Sequence, residues 1–203
     1  MSSPQFIKPT GDSRSSVFQG DPEWFAVHVR SNHEGAASVH LRARGYQEYS
    51  PCSTVQRQWS DRKKAVVRYL FPGYVFCQNP SRVWTPILTI PGVCRIVGIG
   101  NMPVPIPEIE IERIRKMVAS GVAVIPCPFL NVGESVLIEQ GPLAGVEGII
   151  EEAKGKFRLV VSIHLLQRSI SAEIDREWVR PLRNRSIRPA AVRLDDERFA
   201  RIS

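Results

Sequence analysis

Apolar side chains come in short runs punctuated by glycine and proline, and the spacing inside each run predicts its element. Trp24-Phe-Ala-Val-His-Val29 has almost no polar interruption and predicts a buried strand. Ser31-Asn-His-Glu34 has capping-box spacing, a hydroxyl followed three residues later by a carboxylate, so a helix is predicted over 32–44. Ala37 and Leu41 give that helix its apolar stripe, and Gly45 follows it where a left-handed residue is wanted. Residues 46–51 read as extended, 54–68 as a two-stranded arm, 74–77 as a strand, 81–89 as a region with a short helix and 93–97 as another strand. Pro107 sits where a first helical residue belongs, and Ile111, Ile114 and Val118 recur at helical spacing before Gly121. This order predicts an α+β sandwich over 24–120, with its helices on one face of the sheet.

The texture then changes. Residues 136–138, 146–150, 157–163 and 170–174 are short β runs, with alternation clearest in Leu159, Val161 and Ile163 and in Ile170, Ala172 and Ile174. Glycines 133, 141, 145 and 155 supply turns, and Gly148 inside a run predicts a bulge or a close backbone approach. A small all-β barrel is expected over 131–182. Residues 121–130, with Pro126 and Pro128, read as the linker before it. Residues 1–23 read as a flexible leader and 183–203 as a basic tail.

The densest apolar cluster, Tyr69-Leu-Phe-Pro-Gly-Tyr-Val-Phe76, is interrupted at its middle by Pro72-Gly73. A turn there breaks the strand and frees flanking aromatic groups to face a partner rather than the core. Charge adds a second asymmetry. Residues 24–120 carry 13 Lys and Arg against 6 Asp and Glu, net +7, whereas 121–182 carry 6 against 8, net −2. A polyanion therefore suits the first unit alone. Much of its excess lies on the arm, where Arg57, Arg62, Lys63, Lys64 and Arg68 face a single Asp61, and Trp59 could stack on an unpaired base. Arg30, Asn32 and His33 form another candidate contact for a phosphate backbone or an extruded base, at the start of the predicted helix.

Other chemistry finds little support. The cysteines at 52, 77, 94 and 127 have no Cys-x-x-Cys pair and no histidine at metal spacing, so they indicate neither a metal site nor a disulfide framework and read as buried thiols of a reducing cytosol. Gly98-Ile-Gly100 lacks the rest of a dinucleotide fingerprint, no phosphate-binding loop of the Walker type occurs, and no histidine has a partnered nucleophile nearby. No cofactor and no catalytic set is expected. No run approaches the length of a membrane span, and the N-terminus lacks a signal-peptide pattern, so a cytoplasmic protein is expected.

The Trp-led strand, the helix after it, the basic hairpin, the Leu-Phe-Pro-Gly-Tyr cluster and the glycine-punctuated β unit together resemble NusG-family transcription elongation factors, from about Trp24 to Leu182. The resemblance implies a NusG N-terminal (NGN) domain followed by a KOW barrel of the SH3-like type. It implies that Trp24, Leu70, Phe71, Pro72 and Tyr74 form or support an apolar pocket for the clamp coiled coil of RNA polymerase. It also places non-template DNA near Arg30, Asn32, His33 and the basic arm. Leu165, Leu166 and Arg168 match the barrel loop with which NusG touches a ribosomal small-subunit protein or the termination factor Rho. Leu166 stands where general NusG carries an aromatic residue.

Ser60-Asp-Arg-Lys-Lys64, Gly-Pro-Leu-Ala-Gly145 and Leu-Leu-Gln-Arg-Ser169 look most like UpxY-type antiterminators, specialised relatives akin to RfaH. The implied function is polymerase binding, as a monomer, with processive elongation or antitermination of particular operons. The alternatives are a general housekeeping NusG-type factor or a KOW-bearing, RNA-binding translation factor.

Overall fold

The computed structural model describes residues 23–182, except 60, 61, 131, 132 and 154; at 55–59, 62–64 and 153 it describes the backbone alone. The leader and the basic tail lie outside the described residues, apart from Glu23.

Strand β1 (Trp24–Val29) leads into helix α1 (Glu34–Ala43), β2 (Glu48–Tyr49) and the hairpin of β3 (Cys52–Trp59) and β4 (Arg62–Tyr69). There follow β5 (Tyr74–Gln78), the short helix α2 (Thr85–Leu88), β6 (Val93–Ile96), a small hairpin of β7 (Gly98–Ile99) and β8 (Met102–Pro103), and helix α3 (Glu108–Ala119). The central sheet is antiparallel in the order β2-β5-β1-β6, with β1 inside it. The β3–β4 arm stands apart as its own two-stranded sheet.

The helices cover both faces of this sheet, not one. Side chains alternate along a strand, so Trp24 and Ala26 share a face and Val27 and Val29 take the other. Trp24, Ala26 and Phe76 are buried in one cluster with Ile111, Ile114 and Met117 of α3. Val27, Val29, Val75 and Cys77 are buried with Ala37 and Leu41 of α1 and with Ile87 and Ile90 in and just after α2. The near-continuous apolarity of β1 carries this information, because a strand with one wet face would alternate. Phe25 packs edge-on to Trp84, ring centroids 4.8 Å apart.

Two helix starts differ from expectation. The N-cap of α1 is His33, with no side-chain capping bond, and Asn32 has φ +63°. Glu34 does not close a capping box; its carboxylate is buried and accepts the Gly73 N–H at 2.8 Å. Pro107 lies just outside α3 as its N-cap, and the buried stripe runs through Ile111, Ile114 and Met117, while Val118 is half-buried.

The second unit comprises β9 (Val124–Pro128), β10 (Glu134–Ile138), β11 (Glu147–Ala153), β12 (Lys156–Ile163), β13 (Arg168–Ile174) and β14 (Val179–Pro181), an antiparallel sheet in the order β14-β10-β11-β12-β13-β9. It curls about Val136, Ile138, Leu143, Val146, Leu159, Val161, Ile163 and Ile170 as a small barrel of the KOW, SH3-like type. Half of the predicted linker is therefore a strand, since 124–128 pair with β13. Its two prolines misled because proline donates no ladder bond, yet an edge strand tolerates the loss. Gly148 is a close approach, since a Cβ there would lie 2.6 Å from the Val160 carbonyl oxygen.

The thiols also differ from expectation: Cys77 is buried, Cys127 is half-buried, and Cys52 and Cys94 are exposed. No described helix is long and apolar enough to cross a membrane.

Phe76 is fully buried at the centre of the α3 face, edge-on to Phe71 at 5.6 Å. Phe76→Ala is expected to destabilise the chain by about 3–5 kcal/mol, the range for emptying an aromatic core site. Urea unfolding followed by circular dichroism checks this.

Candidate partner-binding face

The Pro72-Gly73 turn ends at β5, with the Tyr74 N–H donating to the Phe71 carbonyl at 3.1 Å. Gly73 has φ +84°, a conformation that needs glycine at the third position of a turn with proline at the second. Two further bonds fix it: the Gly73 carbonyl accepts the Val29 N–H at 2.9 Å, and its N–H goes to Glu34. The turn is thus tied to the ends of β1 and α1. The second Glu34 oxygen is buried without a donor among the described residues, a cost of about 1–3 kcal/mol that the rest of the site must offset.

The expected open pocket is closed. Trp24, Leu70 and Phe71 are almost fully buried, while Pro72 is exposed and Tyr74 half-buried. Trp24 carries the Arg115 guanidinium over its ring at 4.7 Å, and Arg115 also lies 5.1 Å from the Tyr49 ring. Burial pushes the Tyr49 hydroxyl up to about 12, so it stays protonated at neutral pH. The barrel meets the turn. Its helical turn His164–Leu166 places Leu166 in the buried cluster that holds Trp24, Leu70 and Phe71, with half-buried Leu165 against the same cluster. Arg168 lies over the Tyr74 ring at 5.1 Å and donates to the Pro72 carbonyl at 3.3 Å. Two of the predicted sets, the Pro72-Gly73 aromatics and the 165–168 loop, are therefore brought together. The sequence presented them as separate docking surfaces.

Polar contacts sign this junction. Glu110 of α3 is buried, accepts the His164 backbone N–H at 3.3 Å and lies 2.9 Å from His164 Nδ1; Arg113 pairs with Glu147 beside them. The His164 ring stacks edge-on to Phe129 at 5.6 Å. Burial raises the Glu110 carboxyl above its ordinary range, and His164 and then Arg113 oppose the rise. None of Glu110, Arg113, Glu147 or the Glu34–Gly73 bond was singled out from sequence. Glu110 had a signal: it sits four residues before Ile114 and seven before Met117, a carboxylate on the apolar face of its helix.

The nucleic-acid candidates lie apart from this junction. Arg30, Asn32 and His33 are exposed in the link from β1 to α1. There the Arg30 N–H donates to the Gly92 carbonyl at 2.8 Å, and His33 Nδ1 lies 3.1 Å from the Ser31 carbonyl oxygen. The His33 ring rests against Gly92, where a Cβ would lie 2.5 Å from it. Arg68 is exposed on β4. On the arm, the backbone register sets Arg57 opposite Lys64, Gln58 opposite Lys63 and Trp59 opposite Arg62. The side chains of Arg57, Trp59, Arg62, Lys63 and Lys64 lie outside the described residues.

A family model described as "Transcription termination factor nusG" matches residues 22–115. The chain is similar to the transcription termination/antitermination protein NusG of Thermus thermophilus, 30% identical over 165 residues, covering 70% of this chain and 89% of that protein. It is similar to the protein of the same description from Vibrio vulnificus, 28% identical over 166 residues, covering 75% and 91%. A solved structure described as "Domain interaction in Thermotoga maritima NusG" has a TM-score of 0.47 and 21% identity, covering 80% of this chain and 98% of that one.

The raised Glu110 carboxyl has a definite sign for stability. A raised pKa in the folded state means that the fold favours the protonated acid, so this contribution is present at low pH and fades as pH rises from the ordinary carboxylate range through the raised value. Glu110→Gln keeps the acceptor but cannot ionise. Its stability relative to the parent is expected to increase with pH across that window, read from urea midpoints at several pH values; a constant difference would mean that Glu110 is not raised.

Proposed function

Since this chain belongs to the NusG family of transcription termination/antitermination factors, we propose that it binds RNA polymerase through the Pro72-Gly73 face. Riding on the enzyme in the cytoplasm, it promotes processive elongation and antitermination of particular operons, as UpxY- and RfaH-type relatives would. The observation that carries this reading is the occupant of the face. The barrel loop that follows a short helical turn lies on the Pro72-Gly73 face, where Arg168 bonds the Pro72 carbonyl and lies over the Tyr74 ring, and Leu166 of that turn is buried in the continuous apolar cluster that also holds Leu70 and Phe71. The polymerase clamp coiled coil offers the same kind of surface. Exchange replaces one apolar cover by another, so the balance rests on the polar contacts at the rim. The Arg168 contacts with Pro72 and Tyr74 are exposed and contribute only about 0.2–1 kcal/mol each, whereas the Glu110–His164 contact is largely buried.

No reaction is needed. Holding the polymerase in its elongating conformation is a population shift, whose size is set by the difference in affinity for the elongating and paused states. Arg30, Asn32, His33 and the arm residues Arg57, Trp59, Arg62, Lys63, Lys64 and Arg68 then contact the non-template strand, chiefly through phosphates. Once the barrel leaves the face, Leu165, Leu166 and Arg168 become free to recruit a ribosomal small-subunit protein, Rho or another factor. The covalent tether keeps that partner at a high effective concentration.

Titration of core polymerase tests the reading. Tyr74→Ala should weaken binding by about 1–3 kcal/mol, as loss of an interface anchor does. Arg168→Glu, which removes the barrel's hold on Pro72 and Tyr74, should strengthen it; unchanged affinity in the folded Tyr74 variant would sink the assignment. In a separate measurement, binding to single-stranded DNA should fall steeply and linearly on logarithmic axes as salt rises, through counterion release. A flat response would remove the phosphate contacts.

A further inference from the structure

The two units of the chain meet through a buried carboxylate whose neighbouring arginine is engaged elsewhere. Glu110 of α3 faces two atoms of one barrel residue: the His164 backbone N lies 3.3 Å from one of its oxygens, and the ring Nδ1 lies 2.9 Å from the other. The Glu110 side chain is 7% exposed and that of His164 21%. Arg113, three residues along α3, pairs with Glu147 of β11. Glu108 and Glu112 on the same helix are exposed, and Phe129 meets the His164 ring edge-on. Around the small cavity beside the pair the charged or titratable residues are Arg113, Glu147 and His164, and the remaining lining is neutral and comes from β11 and β12.

Burial makes this contact depend on a proton. A carboxylate taken out of water loses hydration that hydrogen bonds replace in part, so the closed site favours the neutral acid. The Glu110 carboxyl is raised in keeping with this, burial being the largest cause. The neutral acid still fits, because its O–H can donate to Nδ1 while the other oxygen accepts the His164 backbone N–H. With the barrel away, Glu110 regains water and ionises in the ordinary carboxylate range, about pH 4.3. The docked state therefore binds more protons. Docking strengthens as pH falls from the raised value toward the ordinary one, and weakens as pH rises back through that window.

We propose that Glu110 is a proton-operated latch with His164 as its catch: a proton taken up by the carboxyl holds the barrel on α3, and its loss as pH rises loosens the barrel. Because Arg168 bonds the Pro72 carbonyl, loosening also frees the Pro72-Gly73 turn. The latch goes beyond the polymerase reading and does not depend on it, since it concerns two units of one chain.

Nuclear magnetic resonance of the full chain tests this, with the contact between the Arg168 side chain and the Tyr74 ring as the measure of the docked fraction. From pH about 8 to about 4, a span that covers the histidine and carboxylate ranges, that fraction should rise. The limiting slope is about tenfold in the docking constant per pH unit for one proton. Glu110→Gln keeps an acceptor and a donor but cannot ionise, and should stay docked with no pH response. His164→Gln removes the ring and leaves the backbone N–H, and should keep the response; it serves as the independent variant if the change at Glu110 disturbs folding. A docked fraction that ignores pH in the parent overturns the proposal, and so does a response that survives Glu110→Gln. A response lost in His164→Gln also overturns it, by making the ring the titrating group. Polymerase takes no part in these measurements, so they stand or fall separately from the reading above.

Discussion

Strand β1 has no wet face. Trp24 and Ala26 on one side and Phe25, Val27 and Val29 on the other are all buried, and each large side chain contributes about 1.5–3 kcal/mol only while it stays out of water. Two covers are therefore obligatory. On the Val27 side, α1 and α2 supply one. On the Trp24 side, α3 is a single helix about 10 Å across, whereas four strands at about 4.8 Å spacing make a wider floor. In this structure the barrel's Arg168 lies against the Pro72-Gly73 turn beside that face.

Competition between two apolar covers makes the polar contacts decisive. Burial of Leu165 and Leu166 drives docking without choosing an orientation, because hydrophobic association is non-directional. Orientation comes from Arg168 on the Pro72 carbonyl, from Glu110 on His164 and from Arg113 on Glu147. The Glu34 carboxylate holds the turn where Arg168 can reach it, which links the start of α1 to the barrel through one backbone N–H. A buried carboxylate with one unsatisfied oxygen is an expensive way to hold a turn. Its presence marks the turn's position as a constraint of the site rather than a by-product of core packing.

Much of this was legible in the chain. The four main strands of the barrel, the hairpin arm and the strands either side of the Pro-Gly turn follow from alternation and turn chemistry, which act over a few residues. What escaped depends on longer range. The β9 strand was obscured by Pro126 and Pro128, whose cost vanishes only because β13 leaves an edge for them. Glu34 matched a capping box locally, yet a backbone N–H 39 residues away is its partner. The aromatic cluster at Phe71 reads from sequence as a docking surface, but no periodicity says that Arg168 of the barrel would bond the Pro72 carbonyl beside it.

The two ends of α3 meet different parts of the barrel. Near its start, Glu110 meets His164, and shortly after its last residue Val122 lines a hollow beside Trp178. Charge divides the two units: the first unit is strongly basic, while the barrel carries a small negative excess. On charge alone a polyanion is favoured at the first unit over the second.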